Sequence, residues 1–389
     1  MLTMLNAVTH EIDDAAIAVS EILEQLDLPS NQRTHSIALL TCYPEYVDTG
    51  VVKAISDSLP FDVVGCTTLA SAAGGDGGLM ALSLSVLTSD DVSFSVALTE
   101  KMDKNHLEPL EEAYKKALTT LSGDPVMVIP FVSVTAYMSG DLVIERLNAI
   151  SGGIPLFGTL PSDHTTDYAE AHVLYNGEIQ PDRVIMALLA GPVSPQFYIV
   201  SIPEENRQKQ KAIITSSEDN VLHEVNNMPL SDYLATIGLV EEGSLDAAKI
   251  VPFVVDYNDG TTPVARGIYR FLDNGSAMCG GLMPCNSTLS IGSLEHSDVI
   301  NTANDLIKAM LSGEKTVAML AFSCICRGWA LGLDTMGEIT TVQQACGSLP
   351  FHFSYSGGEI CPVYNAQGEH FNRFHNYTCI VCAFRTIAK

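Results

Sequence analysis

Phe351-His352-Phe353-Ser354-Tyr355-Ser356-Gly357-Gly358-Glu359-Ile360-Cys361-Pro362 runs from an apolar and aromatic stretch into two glycines and an acid. The pattern predicts a strand that stops at a tight turn and presents Glu359. Paired glycines accept backbone angles that other residues resist, and they let a ligand approach the main chain closely. His375-Asn376-Tyr377-Thr378 then leads into the last apolar run of the chain, and reads as the polar start of a neighbouring strand. Two comparable strand-to-glycine turns stand earlier, at Val63-Val64-Gly65-Cys66-Thr67-Thr68 and at Ile154-Pro155-Leu156-Phe157-Gly158.

Working outward, each of these turns is preceded by the same order of patterns. The first follows an apolar-periodic helix over Glu11–Leu26, a buried strand over His35–Thr41 and a second helix over Val47–Leu59. The second follows a helix over Leu107–Leu121, a strand over Val126–Val132 and a helix over Asp141–Ile150. The third follows a helix over Asp298–Leu311, a strand over Thr316–Cys326 and a helix over Glu338–Cys346. After the turns come strands, among them Leu79–Leu87, Val92–Leu98, Arg183–Leu189, Gln196–Ile202 and Asn376–Phe384. One unit thus recurs: helix, strand, helix, strand, glycine turn, strand or hairpin. It predicts an α/β fold of the mixed α+β kind, with layered sheets of hairpin-linked strands flanked by helices. The polar stretch Glu204–Lys211, with its local run of basic residues, suggests a boundary between a domain over 1–205 and one over 206–389.

Composition narrows the function classes. The chain has 389 residues, 47% hydrophobic and 17% charged, with 46 acids against 20 Lys plus Arg, a formal charge of −26. So acidic a surface repels nucleic acid and anionic lipid. The first residues lack the basic start and long apolar core of a secretory signal. The longest apolar runs are about ten residues, half of a spanning helix. The expectation is a cytoplasmic protein with no membrane or nucleic-acid partner. The 10 cysteines are expected to be reduced and mostly buried. Cys379 and Cys382 fall within one strand and point to opposite faces. Cys324 and Cys326 have no second ligand pair at zinc-like distance, so no metal site is expected.

The motifs bring a family into view. The chain resembles the FIST family of sensory proteins, with an N-terminal FIST domain and its C-terminal companion. The N-terminal likeness lies in Val63–Thr68, in Ile154–Gly158 with Pro161-Ser162-Asp163, and in the hairpin Val173–Glu178 with the strand Arg183–Gly191. The C-terminal likeness lies in Phe322-Ser323-Cys324-Ile325-Cys326-Arg327, Ser354–Ile360 and His375-Asn376-Tyr377-Thr378. One departure is Leu69-Ala70-Ser71-Ala72, where relatives often carry Ala-Gly-Glu-Ile. The resemblance implies a signal-input module that binds a small ligand, with amino acids proposed. Such modules act beside bacterial histidine kinases, cyclic-nucleotide enzymes or other signalling proteins. Some members of the family bind haem and respond to nitric oxide, which makes haem the alternative ligand. No Cys-x-x-Cys-His attachment motif is present, and the sequence singles out none of the histidines as an axial ligand.

Candidate ligand-binding residues follow. Glu359, with Gly357 and Gly358, is the first: its carboxylate suits a ligand amine, and the turn offers backbone donors. Arg327 can clamp a carboxylate two-pronged or pair with an acid, Glu359 included. Together they suit a zwitterionic amino acid. His375 and Asn376 either face the same cleft or satisfy loop backbone groups. Thr67 and Thr68 offer hydroxyls, and Ser162 and Asp163 line the cleft or form a turn. Cys66 is a nucleophile only beside a base, and none is visible nearby. A thiol-dependent enzyme is therefore the third alternative, and no enzymatic activity is the expectation.

Overall fold

The computed structural model describes residues 1–103, 106–134, 139–165, 167–240 and 251–386. The expected unit is present three times, and each copy begins one strand earlier than its helix. The first copy opens on β1 (Thr3–Thr9) and the helix Ala15–Leu26, which Asp14 caps by accepting from the Ala16 and Ile17 amides. β1 escaped the sequence pattern because polar Asn6 interrupts it; that amide is spent inside, on the Ser85 hydroxyl and the Phe351 carbonyl. The copy continues through β2 (His35–Cys42), the helix Val51–Ser58, β3 (Val63–Thr67), a hairpin of β4 (Ala70–Ala73) and β5 (Asp76–Leu79), and β6 (Leu82–Ser89). The second copy runs β7 (Ser93–Leu98), helix Glu108–Thr120, β8 (Pro125–Val132), helix Gly140–Ser151, β9 (Gly158–Leu160), β10 (Val173–Tyr175), β11 (Glu178–Ile179) and β12 (Val184–Ala190).

The third copy opens on β13 (Val193–Val200). A small antiparallel sheet interrupts it: β14 (Ala212–Glu218), β15 (Val221–Val225), β16 (Met228–Pro229), β17 (Phe253–Asp256), β18 (Val264–Arg266), β19 (Ile268–Phe271), β20 (Ala277–Cys279) and β21 (Thr288–Ile291). The copy then resumes with the helix His296–Leu311, β22 (Thr316–Cys324), the helices Ile325–Ala330 and Gly337–Cys346, β23 (Phe351–Ser356), β24 (Gly358–Tyr364), β25 (His370–His375) and β26 (Cys379–Thr386).

Three six-stranded sheets result, in the orders β1-β6-β2-β3-β10-β11, β7-β12-β8-β9-β24-β25 and β13-β26-β22-β23-β4-β5. In each sheet the central pair is parallel and its flanks are antiparallel, so the sheets are mixed, as the hairpin links require. Each copy supplies four strands to its own sheet and lends its hairpin to another. The exchange is cyclic: β4–β5 leave the first copy for the third sheet, β10–β11 leave the second for the first, and β24–β25 leave the third for the second. Strands from both sides of residue 205 therefore share two of the sheets, and the short turn Glu204–Asn206 precedes the small sheet.

The inner faces of the three sheets meet in one apolar core that holds Leu39, Val64, Phe131, Phe157, Ile185, Phe322, Ile380 and Cys382. Phe157 stacks on Phe322 with ring centroids 5.3 Å apart, and Phe131 meets Phe322 edge-on at 6.4 Å. Each outer face carries its own helices over a separate core. Cys379 lies in such an outer core and Cys382 in the central one, the opposite faces expected of positions three apart on a strand.

The glycine turns are not turns. Gly65 and Gly158 lie inside strands, where a Cβ would collide with the carbonyl oxygens of Leu40 and Pro130 on the parallel neighbour. At the third site the chain crosses from β23 to β24 and passes from one sheet to the next. A Cβ on Gly357 would stand 2.4 Å from the Pro161 carbonyl oxygen, and one on Gly358 would enter the Phe374 ring. Gly65, Gly158 and Gly357 are glycine because backbone approaches backbone, and Gly358 because the Phe374 ring fills the space of a Cβ.

Candidate functional site

Registers place Cys66, Glu359 and His375 on one row across the sheets, each on a different strand of that row. Across the first sheet one row reads Ser83, Thr41, Cys66, Val173. Across the second it reads Ile185, Phe131, Thr159, Glu359, His375. Across the third it reads Ile380, Phe322, Ser354, Ser71. Cys66, Val173, Phe131 and Phe322 face the central core, so their row-mates do too. Glu359 thus takes the place that Val173 and Ser71 hold in the other two sheets. The sheet does not need an acid there.

The three crossovers beyond these rows are tied together. The Ser162 amide donates to the Thr67 carbonyl at 3.1 Å, the Gly357 amide to the Leu160 carbonyl at 3.0 Å, and the Thr68 hydroxyl to the Tyr355 carbonyl at 2.8 Å. So Cys66, Thr67, Thr68, Ser162, Asp163, Gly357, Gly358 and Glu359 gather at one end of the three-sheet core. Most of them are structural there. Thr67 accepts the His172 amide at 2.8 Å and donates to the Glu170 carbonyl. Asp163 accepts the Thr165 and Glu170 amides at 2.7 and 2.6 Å and so holds the loop to β10. Asn376 accepts the Gly267 amide at 3.3 Å and receives the small sheet. His375 stands beside Glu359 in the register, but its Nε2 meets the Cys361 carbonyl at 3.1 Å and burial pulls its pKa down to about 3. The Ser162 hydroxyl is buried without a partner.

Arg327 is not in this group. It lies on the helix Ile325–Ala330, where its Nε and Nη2 donate to one carboxylate oxygen of Glu338 at 2.9 and 2.7 Å. Nη2 also donates to the Val299 carbonyl and the Thr302 hydroxyl, and Ser323 donates to the second Glu338 oxygen at 2.8 Å. Both members of the pair are 0% exposed. Of the two expected roles, a clamp on a ligand carboxylate or a salt bridge to an acid such as Glu359, Arg327 makes the salt bridge, and its partner is Glu338 rather than Glu359. Glu338 was invisible in sequence because it sits on the next helix with no motif of its own.

Glu359 is 0% exposed, and among the described residues no arginine pairs with it. Ser356 and Thr378 donate hydroxyls to its two oxygens, Thr378 at 2.6 Å. Burial pushes its carboxyl well above the usual carboxylate range; nearby Cys324 adds to the rise, and the two hydroxyls oppose it. Around it stand residues that sequence reasoning missed. Tyr168 and Tyr269 meet edge-on with centroids 6.2 Å apart. The Tyr168 ring lies over Gly357, 3.1 Å from where a Cβ would be. Tyr377 packs beside Cys326. Tyr269 comes from β19 of the small sheet, far away in sequence, and no local pattern could have assigned it to Glu359.

Two open clefts lie elsewhere. One, of about 560 Å³, is lined by His10, Glu11, Glu21 and Asp76 among others. The other, of about 430 Å³, gathers the basic run Arg207, Lys209 and Lys211, matched by Glu204, Glu205 and Asp256. The buried His352 spends both ring nitrogens on Thr41 and Ser85, at 2.9 and 3.0 Å. Among the described residues no cluster of three or more His, Cys, Asp or Glu is arranged to hold a metal ion. No helix among them is long and apolar enough to cross a membrane.

A profile of the FIST N domain matches residues 36–228, and one of the FIST C domain matches residues 229–362. The chain belongs to the FIST family. FIST domains are small-ligand sensory domains. No curated protein matches the chain. Among solved structures it is similar to a cyanuric acid hydrolase from A. caulinodans, at 9% identity and a TM-score of 0.41 over 100% of this chain and 99% of that one. A T. maritima PurL complexed with AMPPCP follows at 7% identity and a TM-score of 0.21, over 99% of this chain and 73% of that one. Neither is near enough to carry fold or activity across.

In this FIST protein Cys66 is poorly suited to covalent chemistry. Its thiol is buried in the central core and burial pushes it up to about 12, so almost none is thiolate at neutral pH. Iodoacetamide is expected to leave Cys66 unmodified in the folded protein while the exposed Cys285 reacts. Peptide mass mapping reads both, and fast Cys66 labelling would restore the thiol-enzyme alternative.

Proposed function

We propose that this FIST protein is a cytoplasmic, non-catalytic signal-input module. It takes a small amine-bearing ligand at Glu359, with amino acids the first set to test. It passes the signal to a separate signalling protein, of which histidine kinases and cyclic-nucleotide enzymes are the candidates. One observation carries the proposal: Glu359 is a buried acid with no arginine partner among the described residues, at a position that the other two sheets fill with Val173 and Ser71. A charge-bearing group kept where the fold does not need it marks a functional site.

The small sheet beside Glu359 supplies a route for the signal. It docks on the three-sheet body through Arg266, whose Nη2 reaches Asp141 and whose Nη1 donates to the Phe374 carbonyl at 2.7 Å. A ligand wedged between Tyr269 and Glu359 would bear on both. Native mass spectrometry of the freshly purified protein, followed by calorimetry with the amine or amino acid found, tests the site. Glu359→Gln is expected to lose the bound molecule. Undiminished binding by that variant would place the site elsewhere.

A further inference from the structure

We propose that the cleft between the arm 204–211 and the outer face of the small sheet is a second ligand site, separate from Glu359, and that it takes a small phosphorylated polyol such as a sugar phosphate. The cleft measures about 430 Å³, room for a molecule of that size. Its walls come from two parts of the fold. Ala212 pairs with Leu289, and both face the core of the small sheet. Lys211 and Ser290, one step along their strands, therefore point the other way. Thr288 and Asp256 stand opposite each other on that same outer face. The arm forms the facing wall.

Hydrogen bonds fix the arm in place. The Asn206 carbonyl accepts the Ser293 amide at 3.1 Å, and the Asn206 side chain donates to Asp298 at 2.6 Å. The Gln208 amide donates to the Ile291 carbonyl at 2.8 Å. Arg207 gives its Nε and Nη2 to the Ile202 carbonyl at 3.2 and 2.8 Å. That holds the guanidinium in one pose and leaves its Nη1 without a partner among the described residues. The cleft is preformed, so a ligand spends little of its binding energy on ordering it.

Charge sets the ligand class. The chain carries 46 acids against 20 Lys plus Arg, yet Arg207, Lys209 and Lys211 all line this one cleft. Among the described residues none of these three cations forms an ion pair, although Glu204, Glu205 and Asp256 line the cleft with them. Elsewhere exposed cations do find acids, as Lys53 finds Asp57, Lys101 Asp182 and Lys115 Glu111. Three unpaired cations suit a phosphate monoester, which is close to a dianion at neutral pH. The three acids repel a bare anion, but they accept hydrogen bonds from neutral hydroxyls. A ligand ammonium would meet the repulsion of the same three cations, and a hydroxyl does not. A phosphate joined to hydroxyls answers both sets of groups.

The test is calorimetry on the full chain with glucose 6-phosphate, ribose 5-phosphate and glycerol 3-phosphate. Inorganic phosphate, glucose and phosphoethanolamine are the matched controls. At least one polyol phosphate is expected to bind about tenfold more tightly than every control. The double change Lys209→Ala with Lys211→Ala alters two exposed side chains and is expected to weaken that binding about tenfold or more. Circular dichroism confirms that the variant is folded. Glu205→Gln separates the site from a mere patch of charge. Removing an acid strengthens the hold of a patch on any anion, whereas here it is expected to weaken the polyol phosphate and not inorganic phosphate. The inference is overturned if no polyol phosphate binds, if inorganic phosphate or phosphoethanolamine binds as tightly, or if Glu205→Gln tightens the polyol phosphate. Glu359→Gln is expected to leave this binding unchanged. Loss of polyol phosphate in that variant would move the ligand to Glu359 and overturn the second site.

Discussion

Arg327→Ala is expected to cost the fold about 3–5 kcal/mol, because it strands the buried Glu338 carboxylate. The guanidinium joins four elements. It sits on the helix Ile325–Ala330, pairs with Glu338 on Gly337–Cys346, reaches Val299 and Thr302 on His296–Leu311, and meets the end of β22 through Ser323 and their shared acid. Guanidinium denaturation of the two proteins measures the loss. A paired change, Arg327→Met with Glu338→Leu, should recover most of it, since replacing both charges with packed apolar groups is often near neutral. Ligand affinity of the double variant should stay near that of the natural chain. An Arg327→Ala protein of undiminished stability that no longer binds ligand would return Arg327 to the ligand.

Glu359→Gln is expected to do the reverse, raising stability at neutral pH while ligand binding is lost. The folded carboxyl titrates well above the ordinary value of 4.5. Its contribution to stability is therefore fully present below that value, where both states hold the proton. It is lost as pH rises toward the folded value, because the unfolded chain gives up the proton first. The slope is at most about 1.4 kcal/mol per pH unit, while the folded carboxyl holds its proton and the unfolded one has lost it. Glutamine keeps the hydrogen-bonding shape, carries no proton to lose and flattens this slope. Denaturation midpoints from pH 4 to pH 8 test it. A natural chain whose midpoint rises through that window relative to Glu359→Gln would show a stabilised carboxylate instead. Stability sacrificed at one residue and regained on its removal is the behaviour of a binding site.

The parts of the fold legible in sequence were those written locally. His35–Cys42, Pro125–Val132 and Thr316–Cys324 are continuous apolar runs because both faces of these strands are covered, one by the central core and one by helices. The helices carry their period and their caps. The recurrence of the unit was legible for the same reason. The hairpin exchange was not: β4, β10 and β24 pair with strands from another copy, and no sequence-near pattern records which edge a hairpin joins. The glycines were noticed, but their cause was misjudged. At Gly65 and Gly158 the reason is a carbonyl oxygen on the parallel strand, a contact between segments that only pairing creates.

The Phe351–Pro362 stretch divides along the same line. By itself it determined a strand, a break in side-chain bulk at Gly357-Gly358, and an acid just beyond. It also determined, with the rest of the chain, a FIST protein with mixed sheets and helices on their faces. Only the tertiary structure decided that the acid lies inside rather than in solvent, and that Arg327 answers Glu338 while Glu359 answers no arginine. It likewise decided that Tyr269, from the small sheet, meets Tyr168 edge-on. The physical reason is that hydrophobic period and chain breaks act over a few residues. Charge compensation in a low-dielectric interior depends on which distant segments are brought within a few ångströms.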